Sequence, residues 1–312
     1  MSLLVTGSIG IDTVEAPWGK VADALGGSSV YFSYAASFFA PVRFVGAVGA
    51  DCPADFLKPL HDNPNIDMAG LEVRDGAKTF RWHGRYHSDV NVRDTVDVQL
   101  GVLGEGSPAI PPAFGDSRYA FLANTHPALQ MELLDRLAGP ALVVADTMDL
   151  WIDNEPDALG ELIGRIDGLV LNDAEARQLT GQANVIAAGK ALAGRVQARA
   201  GGGRAIPGGF VIVKKGEHGS VLFAGGRVVA LPGFPAENVV DPTGAGDSFA
   251  GGFMGRLAAD ADFSSAALRR AMACGTVVAS FALEDFSLNR LLRTDRAQID
   301  ARLGQYEDML RL

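Results

Sequence analysis

Short runs of apolar and β-branched residues alternate with longer runs of helical period along most of the chain. LLVTGSI, VRFVGAVG, YAFLAN, ALVVADTM, GLVLN and FVIVKK are apolar at nearly every position rather than at every second one. Strands of that kind are buried on both faces, as in parallel sheets covered by helices. Between them SSVYFSYAASFF, LQMELLDRLAG and DALGELIGRI carry apolar residues at helical spacing. The alternation predicts an α/β fold of three layers, a mostly parallel sheet with helices on both faces.

Two regions break the rhythm. VADALGG (21–27) and LEVRDGAKTFRWHGRYH (71–87) predict antiparallel strands, with Asp75-Gly76 as a turn. They fall between units of the main alternation, which predicts one small β-sheet projecting from a single domain over 1–312, built from segments at about 13–27 and 70–100. Within KTFRWHGRYH the two-residue period puts Phe80, Trp82 and Tyr86 on one face and Arg81, His83 and Arg85 on the other. The aromatic face either meets the same sheet of a second subunit or stacks on a ligand. VQARAGGGRAIPGG (196–209) reads as a surface linker; no helix start follows it, as a phosphate loop would need.

Composition narrows the field. With 48% hydrophobic and 21% charged residues over 312 positions, the chain can fill a sizeable core. A formal net charge of −10 argues against nucleic acid or an anionic membrane as partner. Any bound anion must then be held by local donors: loop amides, a lysine or a metal ion. Cys52 and Cys274 have no metal-ligand spacing and read as buried thiols, so a cytoplasmic location is expected. The apolar stretch VYFSYAASFFAPVRFVGAVGA is divided by Pro41 and Arg43, which excludes a membrane span there. MSLLVTGSIGID has no basic leader or cleavage site.

The chemistry concentrates in DPTGAGDSFAGGF (241–253). Pro242 ends a strand, and a helix of small residues begins near Asp247. Gly244 and Gly246 free the backbone to turn successive N–H groups toward one point. Added to the positive end of the helix dipole, those amides make a site for phosphate. Taken alone, Asp247 is equally well read as a helix cap.

Asp241 to Phe249 resembles the C-terminal signature of the ribokinase-like (PfkB) carbohydrate kinases. Other segments resemble that family in order: GSIGID (7–12), LGG (25–27), FVGAVGAD (44–51), NDAE (172–175) and VIVKKGEHGS (211–220). The resemblance implies ATP-dependent transfer of a phosphoryl group to a primary hydroxyl of a sugar, or of a nucleoside on the same scaffold. It assigns Asp247 as general base, with Gly244, Ala245 and Gly246 supplying amides to the phosphoryl group. Asp12, Gly26, Gly27, Tyr31, Asn124 and Asp146 fall on the substrate side; Asn172, Lys214, Gly216, Gly219 and Met272 fall on the nucleotide side. Glu175 would act on Mg²⁺ through water, and Asp241 with Thr243 could hold K⁺. The projecting sheet becomes a lid over the substrate and a clasp for a homodimer.

Some readings stay open. Lys214 and Lys215 point in opposite directions on a strand, so one of them faces the ligand. Tyr31 stands where many sugar kinases have Asn; its ring either stacks on a ligand or enters the core. NDAE alone also reads as a helix cap, and Met272 as an ordinary core residue. SFALEDFSLNRL (280–291) replaces the loop that completes the cation site in relatives. An already phosphorylated substrate would need Arg81, Arg85 or Arg93. A non-catalytic sensor on this scaffold is the competing class, and the intact Asp247 and glycine turn argue against it.

Overall fold

The computed structural model describes residues 2–196 and 205–311, so most of the expected linker at 196–209 lies outside the described residues. The strands are β1 (Leu3–Thr6), β2 (Gly10–Ala16), β3 (Gly19–Gly26), β4 (Val42–Gly49), β5 (Ile66–Arg74), β6 (Phe80–Tyr86), β7 (Arg93–Gln99), β8 (Tyr119–Leu122), β9 (Leu142–Asp146), β10 (Gly168–Asn172), β11 (Phe210–Lys214), β12 (Ser220–Ala224) and β13 (Arg227–Leu231). A nine-stranded sheet runs β13-β12-β11-β10-β9-β8-β1-β4-β5, and a four-stranded sheet runs β3-β2-β6-β7. From β11 to β5 the large sheet is parallel; β12 and β13 add an antiparallel edge.

Alternate residues of each strand enter separate cores, which is why those strands read as continuous apolar runs. Leu3, Val5, Leu142, Val144, Phe210 and Ile212 pack on one side, under the helices Ser28–Ser37, Ala245–Asp260 and Ser265–Ala282. Leu4, Val143, Ala145, Val211 and Val213 pack on the other, under Pro127–Asp135, Pro156–Ile163 and Val185–Arg195. The three-layer expectation holds.

The small sheet exists, but its borders differ from those expected. Residues 71–74 belong to β5, which pairs in parallel with β4 from Val45↔Gly70 to Gly49↔Arg74. Asp75-Gly76 is therefore the exit from the large sheet, not a hairpin turn; Gly76 takes φ 82° there. An edge strand with one half-solvated face has the same alternating pattern as a lid strand, which misled the reading. LLVTGSIGID is likewise not one strand. β1 stops at Thr6, the chain crosses over at 7–9, and Asp12 stands on β2 of the small sheet. Gly7 permits that crossing, since a Cβ there would lie 2.7 Å from both Ala123 and Ser28.

Candidate active site

The parallel strands end at one edge, and three neighbours finish on polar residues: β9 on Asp146, β10 on Asn172 and β11 on Lys214. Asn172 and Lys214 are partners in register. Carboxyl ends of parallel strands line the ligand crevice of such sheets, and the glycine turn 241–246 comes down on this edge. The helix Ala245–Asp260 starts from Gly244 at φ 73°, a left-handed conformation that favours glycine. There is also no room for a side chain, because a Cβ on Gly244 would fall 2.3 Å from the Tyr31 ring. Gly246 faces Lys214, whose Nζ would be 2.5 Å from an added Cβ.

The donors of this turn are not all free. The Ala245 amide donates to the Pro242 carbonyl at 3.2 Å and closes the turn, contrary to its expected role. The Gly244 and Gly246 amides have no protein partner among the described residues, and they open at a helix N-terminus where negative charge is favoured. Asp247 follows in the first turn, half-buried. Burial raises its pKa, and the charges of Lys214 and Arg93 work against that rise. The Asp146 carboxyl lies within hydrogen-bonding reach of Asp247. Burial and the neighbouring Asp247 charge drive Asp146 well above the usual carboxylate range. Burial thus raises both carboxyls, and each acts on the other.

Asp12 approaches from the lid side. Burial pushes its pKa to about 8, with the charges of Asp241 and Asp247 adding to the effect. Its Oδ1 is buried without a hydrogen-bond partner, an acceptor left unsatisfied in the free protein. The double glycine serves this carboxylate rather than a ligand. A Cβ on Gly26 would collide with Asp12 Oδ2 at 1.8 Å, and Gly27, at φ 104°, would strike the Ser8 carbonyl at 2.4 Å. Both expected substrate-contact glycines are therefore packed against their own chain.

Other expected residues divide between the cleft and internal duties. Tyr31 is 2% exposed and lies beneath Gly244, so its ring forms the floor of the turn and the open question resolves toward the core. Asn124 is occupied: its Oδ1 accepts the Trp151 indole N–H at 2.8 Å, and its Nδ2 reaches the Met148 sulfur. Asn172 and Glu175 form a reciprocal capping box, each amide bonded to the other's side chain at 2.8 Å. The cap and the site coexist, for burial raises Glu175 while the charges of Lys214 and Arg93 oppose it.

Lys214, at the end of β11, therefore sits among carboxylates, its charge acting on Asp146, Glu175 and Asp247. Gly216 would meet Asn91 of the lid at 2.0 Å, and Gly219 would meet the Leu231 carbonyl at the same distance. Met272 is fully buried in the core and offers no face to adenine, which corrects its assignment to the nucleotide side. Asp241 accepts the Thr243 amide at 2.8 Å and the Ser287 amide at 3.3 Å; the Thr243 hydroxyl donates to Tyr86 at 3.2 Å. These groups tie three segments together.

The aromatic face of the lid turns inward. Trp82 is 8% exposed within the single chain, and Tyr86 is bound to Thr243 of the glycine turn. Phe80 lies beside Gly10, 3.0 Å from an added Cβ. The outward face is a charge network in which Arg85 and His83 contact Glu15 and Arg81 contacts Asp23. The two-residue period thus sorted the side chains correctly, and the inward face is not offered to a second subunit. Reasoning from the sequence missed the Asp146–Asp247 pair and the direction of Arg93. Neither has a local signal, because both depend on which strands end side by side.

The sequence profile of the pfkB family carbohydrate kinases matches residues 131–292. A cytidine kinase from Thermococcus kodakarensis is 31% identical over 260 residues, which is 81% of this chain and 87% of that one. Among solved structures, the Burkholderia thailandensis nucleoside kinase in complex with inosine superposes with TM-score 0.76 at 21% identity, covering 97% of each chain. The Methanocaldococcus jannaschii nucleoside kinase superposes with TM-score 0.74 at 19% identity, covering 97% of this chain and 98% of its own. The structural likenesses bear on the fold alone. With the matched profile and the cytidine kinase relative, they make this chain a member of the pfkB carbohydrate kinase family, a phosphotransferase with an alcohol group as acceptor.

Proposed function

We propose that the protein is an ATP-dependent nucleoside kinase that phosphorylates the primary hydroxyl of a ribonucleoside. The observation that carries this reading is the convergence of three features on one cleft. The Asp247 carboxylate stands beside the unspent Gly244 and Gly246 amides, and the cleft is closed by a lid whose aromatic face turns inward. The amides and the helix N-terminus stabilise charge developing on the transferring phosphoryl group. Asp247 takes the proton of the attacking hydroxyl, and the charges of Lys214 and Arg93 favour its ionised form against the effect of burial. The unsatisfied Asp12 Oδ1 suits a ribose hydroxyl, and Phe80, Trp82 or Tyr86 provide flat apolar surface for a base. A free sugar would use the same base and amides but leave that surface empty.

Charge argues for a divalent ion travelling with the nucleotide. Asp12, Asp146, Glu175, Asp241 and Asp247 influence one another across the site, and Lys214 and Arg93 are the cations that influence Asp247. A polyphosphate entering such a site is repelled unless a cation accompanies it. No group of three or more ligating side chains forms a metal cage among the described residues. Mg²⁺ needs none, since it keeps several waters and binds through one or two carboxylates and the phosphates. Asp146 and Glu175 are the residues that would hold it, and the ion would supply charge neutralisation on the phosphates. Asp241 and Thr243 are committed to loop contacts, so K⁺ is not part of this reading. A homodimer through the lid would use the open edge of β7, where Val96 and Val98 are exposed.

The test is a panel of cytidine, inosine, adenosine, ribose and fructose, assayed for ADP release with ATP and Mg²⁺, with and without K⁺. Nucleosides should be turned over with the highest kcat/KM. A preference for ribose or fructose would reverse the substrate reading, and no turnover of any acceptor would remove it.

A further inference from the structure

The turn that presents the Gly244 and Gly246 amides begins at Asp241, and the groups that fix Asp241 belong to the loop 283–287. Its side chain is 1% exposed. Oδ1 accepts the Thr243 amide at 2.8 Å and Oδ2 accepts the Ser287 amide at 3.3 Å. The amides of Val240 and Asp241 both donate to the Leu283 carbonyl, at 2.8 and 3.3 Å. A K⁺ ion is held by oxygens that replace its hydration shell, and here those oxygens are taken. Both Asp241 oxygens and the Leu283 carbonyl are occupied as described. The Pro242 and Phe286 carbonyls accept the Ala245 and Asn289 amides, each at 3.2 Å. The residues present do not fit the ion that the family resemblance assigned to Asp241 and Thr243.

The loop that takes the ion's place is itself clamped. Ser287 stands at φ 55°, a left-handed conformation that a residue with a side chain keeps only where its surroundings impose it. Its hydroxyl donates to the carbonyl of Leu25 on β3, one residue before Gly26, which packs on Asp12. Glu284 is gripped from both sides, with Oε1 2.7 Å from Arg302 and Oε2 2.6 Å from Arg290. Both guanidinium groups lie over the Phe281 ring, 3.5 and 4.8 Å from its centroid. Asp285 pairs with Arg293, and the Phe286 ring meets the lid hairpin at Gly19, 3.3 Å from an added Cβ. Arginines from the helices Asn289–Leu292 and Arg296–Met309 thus place fixed positive charge behind the loop.

We propose that Ser287, held by the Glu284–Arg290–Arg302 clamp, is the positioning residue of the amide turn and stands in for a monovalent ion, so that the protein works without K⁺. It acts through Asp241 and makes no contact with the reacting atoms. Because its amide holds Asp241 while its hydroxyl holds Leu25, one residue sets the spacing between the amide turn and the Asp12 side of the cleft. The effect on turnover rests on the kinase reading above; the exclusion of the ion rests on the occupied oxygens alone.

The experiment compares the wild-type chain with Ser287→Gly and Glu284→Gln in KCl, NaCl and tetramethylammonium chloride at equal ionic strength. It reads the denaturation midpoint without substrate, and kcat with ATP, Mg²⁺ and cytidine or inosine. The wild-type chain should give the same midpoint and the same kcat in all three salts. An ion that binds the folded state raises stability by mass action, so a wild-type midpoint or kcat that rises specifically in KCl overturns the proposal. Glycine at 287 adopts the left-handed backbone freely but drops the tie to Leu25. Its kcat should fall by roughly 2- to 10-fold, the worth of one hydrogen bond, with the nucleoside KM near wild type. K⁺ should restore part of that kcat and raise the midpoint of this variant, because the released oxygens then admit an ion; tetramethylammonium should do neither. Glu284→Gln loosens the clamp with Ser287 intact, should acquire the same K⁺ response, and decides the matter if Ser287→Gly does not fold. A wild-type kcat in both variants, or a loss indifferent to K⁺, makes the loop merely structural and overturns the proposal. If the wild-type chain phosphorylates neither nucleoside, the substrate reading falls and the midpoints alone decide this inference. If it does so and responds to K⁺, only this inference falls.

Discussion

On the main-sheet side of the cleft, Asp146, Asn172 and Lys214 each hang from the end of a strand buried on both faces. On the lid side, Tyr86 and Arg93 hang from a sheet whose last strand is exposed along nearly its whole length. The first wall has its geometry fixed by the core. The second is held at its rim, by Tyr86 on Thr243, Asn91 on Glu217, Ser287 on Leu25 and the loose Arg93–Asp149 pair among others. Local opening draws on segments with few buried contacts, so packing supports the proposed division of labour: one wall would hold the base and the amides, and the other would bring charge and apolar surface on closing. Substitutions on the first wall should therefore act on kcat through positioned groups. Those on the second should act on binding.

The largest effect is expected at Asp247. Asp247→Asn keeps the shape but removes the proton acceptor, and kcat should fall by about 10²–10⁴-fold while ATP binding persists. Near-normal turnover would show that the base has been misassigned.

Gly244 and Gly246 sharpen the same wall. Alanine at Gly244 must adopt a left-handed backbone, costing about 1–2 kcal/mol, and must also displace the Tyr31 ring. Alanine at Gly246 meets only the mobile end of Lys214 and sits well in a helix, so stability should stay within about 1 kcal/mol of wild type. The two variants should both lose activity, but only Gly244→Ala should show a clear drop in denaturation midpoint. Equal midpoints would mean the turn is not strained as described.

This contrast also marks what could be read in advance. The apolar runs announced the parallel sheet because burial on both faces leaves a composition signal at every residue. The segment 241–249 announced the turn because φ above zero and close approach demand glycine at fixed positions. The lid was read half correctly: two-residue alternation on β6 identified its faces, as the inward Trp82 and outward Arg85 show. Its partners were out of reach. β2 pairs with β6 in parallel across nearly seventy intervening residues, from Gly10↔Phe80 onward, and no local spacing encodes such a pairing. Asn124 shows the opposite failure, a polar residue at a strand end whose hydrogen bonds turn out to be committed to Trp151 and Met148.

Asp12 tests where lid and floor meet. Burial pushes its pKa in the folded chain to about 8, above the usual aspartate value of 3.8. For a carboxyl shifted upward, the stabilising contribution is complete below the unfolded value and is lost as pH rises toward the folded one. Asp12→Asn removes this dependence. The variant should gain stability over wild type between about pH 4 and pH 8, by up to about 1.4 kcal/mol per pH unit in that window. Urea denaturation at pH 5 and pH 8 measures it, and a difference that stays constant with pH would deny the burial of a protonated carboxyl.

The smallest effect belongs to the tie between the walls. Tyr86→Phe deletes the hydrogen bond from Thr243 at 3.2 Å but keeps the ring that closes the cleft. One such bond contributes about 0.5–1.5 kcal/mol, so the closed state should be disfavoured by roughly 2- to 10-fold. That loss should appear in the nucleoside KM, with kcat unchanged, because once the lid is shut Asp247 stands where it did before. A fall in kcat at constant KM would mean that the Tyr86 hydroxyl acts on the transferring group itself, and the separation between a chemical floor and a closing lid would have to be redrawn.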